Sequence, residues 1–585
     1  MFHKREFSKT GSASLPVPKY VPEAAQNLVM SQKEKEALES QGKDKDVRRV
    51  NALVVRTVAE SLKSSLGPQG LEKMLIDPYL NVTITSDGST MLRNLEVRHP
   101  TVKILVDAAR TMYKEVGDGT TSMIVLASEL IWRAKDLMQK GIAPATIEGG
   151  YRAAMSRTLE IYSDMAIRID PMDVKKLKEV AMTAIAGKSM FQDEEKLASF
   201  SVEAVLAAAY KASSGYTVDL EDVGIEKKKG ESGNDTMLIK GLALERRVLH
   251  SSMPKLITDA KIAILNRPLA IELKPKDEEN GGTWRVTKMK FKIDSVEKLQ
   301  SSTAQKQKLF EGWVEKIATC GANVVVCRRH IDDLAQFLLG RRGILAVAHV
   351  RQPEIFKLAK ASGGRIVEDF DEITSSDLGS AKTVEERIMG PGPAEPWVFI
   401  EGCRNPKSYT ILVRGGTKTI VDASEKLVRN ALSAVRNAVI NPRILPGGGA
   451  PELQAARRIR TWAARGLPSR EQLPAITYAD ALEEIPSTLA RNAGMDAIDA
   501  LVELRSHHAR GASTMGIDAF SQKIGDTETR SIYDTLTVRE QMIKSASELA
   551  LVIIRIDQIL VSTKPVAQGK RIDRKKIDRK KEKGS

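Results

Sequence analysis

Aromatic residues make up only 4% of this 585-residue chain, so alanine, valine, leucine and isoleucine must fill its interior. With 42% hydrophobic residues at this length, the chain exceeds what one core organises and should divide into several domains. Long apolar runs are missing as well. No stretch of about 18 uninterrupted apolar residues occurs, and none follows the charged residues 1–6, so neither a membrane span nor a signal peptide is expected. A soluble, intracellular protein is the expectation. Cysteine is rare: Cys320, Cys327 and Cys403 are odd in number, form no C-x-x-C pair, and are expected to be buried and reduced. The seven histidines include no H-E-x-x-H, and adjacent His507 and His508 would project about 100° apart on a helix, so structural zinc is not expected.

One segment carries chemistry. Gly117-Asp118-Gly119-Thr120-Thr121 places a lone carboxylate between two glycines and two hydroxyls. From residue 121 to 141 the apolar positions Met123, Leu126, Ala127, Leu130, Ile131, Ala134, Leu137 and Met138 recur at helical spacing, and Gly141 supplies a stop. The free N–H groups of that helix would face the Gly-Asp-Gly turn. Glycine lets the backbone approach a polyphosphate, a helix N-terminus favours anions, and a carboxylate offers magnesium a hard oxygen. By itself Gly-Asp-Gly is more often an ordinary turn.

Three further loops accompany it. A helical run over 54–65 breaks at Leu66-Gly67-Pro68-Gln69-Gly70, a β-rich stretch over 81–85 runs into Ser86-Asp87-Gly88-Ser89-Thr90, and Pro446-Gly447-Gly448-Gly449-Ala450-Pro451-Glu452 lies far downstream. Both ends of the chain read as helical, including 480–490 and 495–505. The middle alternates: strand 323–327, helix 331–339, strand 344–350, helix 354–361, strand 365–367, an α/β layer. Asp294-Ser295-Val296-Glu297 has the form of a capping box opening a helix that runs to 319, and its first turns, 298–308, are polar nearly all round.

In this order the glycine-containing loops resemble those of the group II chaperonins, the family of the archaeal thermosome and the eukaryotic TRiC/CCT complex. LERRVLHSSMP at 244–254, Ala260-Lys261-Ile262, GANVVVCRRHIDDLAQ at 321–336, GILAV at 343–347, RGGT at 414–417 and NAGMDAIDALVELR at 492–505 agree with it. The resemblance runs from about residue 25 to about residue 563. It implies a multidomain α and α/β chaperonin fold. A mostly helical equatorial ATP-binding domain would be built from 25–168 and 442–563, and a hinge-like intermediate domain from 169–240 and 397–441. An α/β apical, client-binding domain would span 241–396, with a helical protrusion serving as a lid, near which 277–292 looks longer than usual. An N-terminal extension, 1–24, and a basic tail, 564–585, fall outside. The implied activity is that of an ATP-dependent molecular chaperone of the cytoplasm. Its cofactors would be ATP and Mg2+, and its partners unfolded polypeptides and other chaperonin subunits, alike or different, in a double ring.

The resemblance also implies roles. Gly67 would let the backbone close over the phosphates, Gly88 would also belong to the nucleotide site, Asp118 would ligate magnesium, and Gly119, Thr120, Thr121 and Ser122 would hold phosphate oxygens. Asp87 would orient water, Lys188 would sense the γ-phosphate, Gly448 would approach the sugar or base, and Asp534 would accept from ribose. Gln69 stands where a basic residue is frequent, and Thr535 where proline is common. A larger departure is Asn430, which occupies the position of the aspartate expected to polarise the attacking water. An amide cannot take up that proton, and general-base help is worth about 10² to 10⁴ in rate, so hydrolysis could fall while ATP binding persists. Asp87 or another carboxylate acting as the base is the alternative. Asp422, roughly 12 Å earlier on the same helix by helical rise, is a poor substitute. A hydrolysis-weak structural or regulatory subunit of a hetero-oligomer is therefore the second functional reading.

The formal net charge of +15 raises nucleic acid as a rival partner. Its distribution speaks against this. Residues 570–583 hold nine Lys or Arg against three Asp or Glu, in the near-repeat IDRKK-IDRKK, with no aromatics interleaved for base stacking. A solvated tail able to touch acidic clients is the expectation, and nucleic acid binding is not.

Overall fold

The computed structural model describes residues 47–559 except 78–79, 96–98, 189–192, 214, 231, 271–295, 371, 390–395, 405–407 and 468, and it describes only the backbone of 296–305 and 469. The N-terminal extension, the long 277–292 stretch, the capping box at 294–297 and the basic tail lie wholly or partly outside the described residues.

Both ends of the chain build one helical body. Val47–Lys63, Pro100–Val116, Thr120–Gln139 and Pro144–Met165 pack with Ala450–Gly466, Ser469–Leu482 and Leu536–Ile554 around a common core. Alanines 127, 134, 479, 546 and 550 are wholly buried there, which lets helices approach closely without aromatic filling. A small antiparallel sheet joins the ends again, with Arg443–Pro446 between Ile167–Arg168 and Tyr533–Thr535.

A second core lies under a three-stranded sheet. Its central strand, Tyr409–Gly415, runs parallel to Val223–Lys229 and antiparallel to Met237–Ile239. Thr417 caps the helix that follows, Lys418–Ile440, by accepting from the Ile420 N–H at 3.2 Å. That helix packs on Val174–Ile185 and Glu194–Ala208.

The third body is a seven-stranded mixed sheet. Leu256–Leu265 is its hub, parallel to Val324–Cys327 and Ile366–Val367 and antiparallel to Gly379–Ile388. Leu345–Val347 extends the parallel side. The expected α/β alternation describes only that side. Gly379–Ile388, Pro396–Cys403 and Gly241–Leu244 add an antiparallel half.

Several expectations need correction. A boundary at 396/397 would cut Pro396–Cys403, whose Val398 and Ile400 pair with Leu244 and Leu242 in the large sheet. Trp397 is wholly buried beside Ile239, Ala243, Phe399 and Leu412, a cluster that staples the two sheets together. The helix expected over 480–490 is two, Ser469–Leu482 and Glu484–Asn492, because Pro486 has no N–H for the Leu482 carbonyl. The helix expected over 54–65 begins earlier, as Val47–Lys63, and that over 495–505 is Ala497–Ala509, capped by Asp496. All three thiols are free, but only Cys327 is fully buried, since Cys320 and Cys403 sit at the edges of the large sheet's core. Burial pushes the Cys327 and Cys403 thiols up to about 11, which keeps both protonated and unreactive near neutrality. His508 is buried, with Nε2 2.8 Å from the Met515 carbonyl oxygen and Nδ1 3.1 Å from Gln454 Oε1.

Candidate functional site

Where the helical body meets the second core lies a cavity of about 610 Å³. Eleven of the twelve candidate residues line it: Gly67, Asp87, Asp118, Gly119, Thr120 and Thr121, with Ser122, Lys188, Asn430, Gly448 and Asp534. Gly88 stands just behind the lining. A Cβ there would come within 2.6 Å of Thr121 Oγ1, so the Asp87–Gly88 corner presses directly on the first turn of Thr120–Gln139.

Local chemistry holds these pieces in place. Asp118 Oδ1 accepts from the Gly119 N–H at 2.7 Å, fixing the carboxylate across its own turn. Asp87 caps Gly88–Asn94, its Oδ2 accepting from the Thr90 N–H at 2.8 Å and hydroxyl at 2.6 Å. Burial, and then the negative charges of Asp87 and Asp118, push the Tyr113 hydroxyl above its ordinary pKa, so both carboxylates act on one spot. The first loop is pinned from the far end of the chain, where Asn492 Nδ2 donates to the carbonyl oxygens of Lys63 and Leu66, each at 2.8 Å. Lys188 Nζ donates to the Ala184 carbonyl oxygen at 3.1 Å at the cavity's edge.

Asn430 reaches the cavity from the second core, on Lys418–Ile440. With its amide nitrogen turned to the backbone it donates to the carbonyl oxygens of Gly117 at 3.3 Å and Lys426 at 3.2 Å. The same helix satisfies the end of Pro100–Val116 through Asn437 Nδ2 to the Val116 carbonyl oxygen, 2.8 Å, and the Arg436 guanidinium to that of Glu115, 2.5 Å. Gly117 makes this contact possible. It adopts φ +76°, and a Cβ on it would lie 2.3 Å from Ser433 Cβ. Asp422 is turned elsewhere, paired with Lys227 at 2.9 Å.

Asp534 also lines the cavity, and its Oδ2 accepts from Arg539 at 2.5 Å. Arg539 also reaches Glu452 Oε1 at 2.8 Å, and the Tyr162 hydroxyl donates to the same oxygen at 3.1 Å. Glu452 is wholly buried. Burial acts to lower the Arg539 pKa, but Asp534 and Glu452 outweigh it and hold the guanidinium above its ordinary value. Thr535 heads the helix Leu536–Ile554 with a buried hydroxyl that finds no hydrogen-bond partner among the described residues, where proline would bury no polar group.

Sequence reasoning missed Lys426, Asn437, Asn492 and Arg539. Lys426, Asn437 and Arg539 lie outside the quoted stretches, and Asn492, though it opens the 492–505 stretch, meets the Lys63 and Leu66 carbonyl oxygens only on folding. It also missed Phe520 and Arg530, which line the mouth on and after the hairpin of Met515–Asp518 and Lys523–Asp526.

Over 518 residues the chain is 42% identical to the thermosome subunit alpha of Archaeoglobus fulgidus, covering 88% of this chain and 92% of that protein. It is 40% identical over 518 residues to the thermosome subunit of Methanopyrus kandleri, with the same coverage of each chain. To the thermosome subunit alpha of Saccharolobus solfataricus it is 41% identical over 528 residues, 88% of this chain and 92% of the relative. Residues 58–564 match the sequence model of the TCP-1/cpn60 chaperonin family, and the chain belongs to that family.

Proposed function

We propose that this chaperonin subunit binds magnesium ATP in the cavity between its helical body and second core, and that occupancy holds Lys418–Ile440 docked on the 117–119 turn. The subunit is ATPase-type and assembles with other chaperonin subunits into rings. The observation that carries the nucleotide reading is convergence. Asp87, Asp118 and the opening turn of Thr120–Gln139 reach one cavity together with Asn430 from a separate core. The donor set fits the ligand: backbone N–H groups and the hydroxyls of Thr120, Thr121 and Ser122 suit phosphate oxygens, and Asp118 suits a hard cation. Magnesium, when bound, supplies positive charge against the phosphates. Asp534, oriented by Arg539, would accept from the ribose.

Residues 47–168 and 442–559 act as the equatorial domain, the second core as the hinge, and 241–403 as the apical domain that takes unfolded polypeptides. Cytoplasmic action fits the chain, and among the described residues no helix is long and apolar enough to cross a membrane. The amide at Asn430 makes this a subunit that binds ATP and turns it over slowly, with Asp87 left to orient water. Asp118→Ala tests the metal and nucleotide assignment. ATP affinity in magnesium buffer should fall, while wild type sediments as a particle many times its 64.2 kDa chain mass. Unchanged ATP affinity in the variant would overturn the assignment of Asp118, and a monomeric wild type with magnesium ATP would overturn the ring.

A further inference from the structure

Lys418–Ile440 presents one face to the cavity, made of Ala423, Lys426, Leu427 and Asn430, the i, i+3, i+4, i+7 spacing of a single helical stripe. Its neighbouring carboxylates are already engaged. Asp422 and Glu425 bind Lys227 at 2.9 and 2.8 Å, and Glu425 also binds Arg429 at 2.8 Å. Among the described residues Lys426 forms no ion pair within hydrogen-bonding reach. The carboxylate that acts on it most is Asp87, whose Oδ2 is held by Thr90 and whose corner abuts Thr121 at the head of Thr120–Gln139. Lys426 therefore lines the same cavity as Asp87 and the opening turn of Thr120–Gln139, whose helix N-terminus favours anions.

We propose that Lys426 is the cationic contact for the terminal phosphate of the bound nucleotide, so that this helix holds the γ-phosphate through a charge rather than activating water through a carboxylate. The inference rests on the reading of the cavity as an ATP site. Burial lowers the Lys426 pKa, as expected for a cation without a bound counter-anion, and a phosphate oxygen would reverse that. Because the helix belongs to the second core, a phosphate held by Lys426 also ties that core to the helical body. Loss of the phosphate releases one of its ties.

The test compares ATP with ADP on the assembled protein in magnesium buffer, for wild type, Lys426→Met and Lys426→Arg. Lys426→Met should lose about tenfold or more in ATP affinity, the size of one charge-assisted hydrogen bond, while ADP affinity stays within about twofold. Lys426→Arg should keep the preference for ATP. Equal losses for ATP and ADP, or no loss, would overturn the role of Lys426 while leaving the cavity a nucleotide site. Failure of the wild type to bind either nucleotide would overturn both. If the methionine variant does not assemble, Lys426→Gln is read by the same two affinities.

Discussion

Asn437 donates its side-chain amide to the carbonyl oxygen of Val116 at 2.8 Å, so a helix of the second core completes the last turn of a helix of the first. Both residues are buried, and water cannot replace the bond without the helices parting. This contact, with Arg436 on Glu115 and the turned amide of Asn430 on Gly117, joins Lys418–Ile440 to residues 115–117 beside the cavity.

Asn437→Ala would leave the Val116 carbonyl without its donor inside a closed interface. An unsatisfied buried acceptor costs about 1–3 kcal/mol. Denaturant unfolding of the assembled protein should show a loss of that size, with weaker nucleotide binding because the helix docks less often. An unchanged midpoint and unchanged affinity would mean that the contact contributes nothing to closure.

Arg539→Met should be more damaging. It removes the cation between Asp534 and Glu452, and Glu452 is wholly buried. Breaking a buried pair by removing one partner costs about 3–5 kcal/mol. Adding Glu452→Gln should recover much of that stability, because the stranded charge is gone, yet leave nucleotide affinity low because Asp534 remains unoriented. Thermal unfolding of the single and double variants separates the two effects. A double variant no more stable than the single one would show that the stranded charge is not the cause.

The parts of the fold that could be read from the chain are those governed by local pattern. Thr120–Gln139 follows from its apolar period and the glycines at 119 and 141. The parallel side of the large sheet follows from alternating strand and helix signals, but its antiparallel half does not. Gly379–Ile388 carries Lys382, Glu385, Glu386 and Arg387, and pairing rather than hydrophobicity makes it a strand. Within the site, the glycine loops were legible because they need particular residues. The lattice of Asn430, Arg436 and Asn437 on residues 115–117 was not, since it joins positions more than three hundred residues apart whose side chains are ordinary in any helix. The surroundings of Asn430 are informative in another way: two carbonyl oxygens call for a donor, which an amide supplies and a carboxylate does not.

The most direct measurement is single-turnover ATP hydrolysis by assembled wild type and Asn430→Asp, with nucleotide affinity determined in parallel. Facing the Gly117 and Lys426 carbonyl oxygens, the new carboxylate would be repelled toward the cavity, where it can act on water. The account predicts slow turnover in wild type and a rise of at least about tenfold in Asn430→Asp, the lower part of what a general base contributes, with little change in ATP affinity. Brisk hydrolysis by wild type that Asn430→Asp leaves unaltered would contradict it and assign the general-base role to Asp87 or another carboxylate.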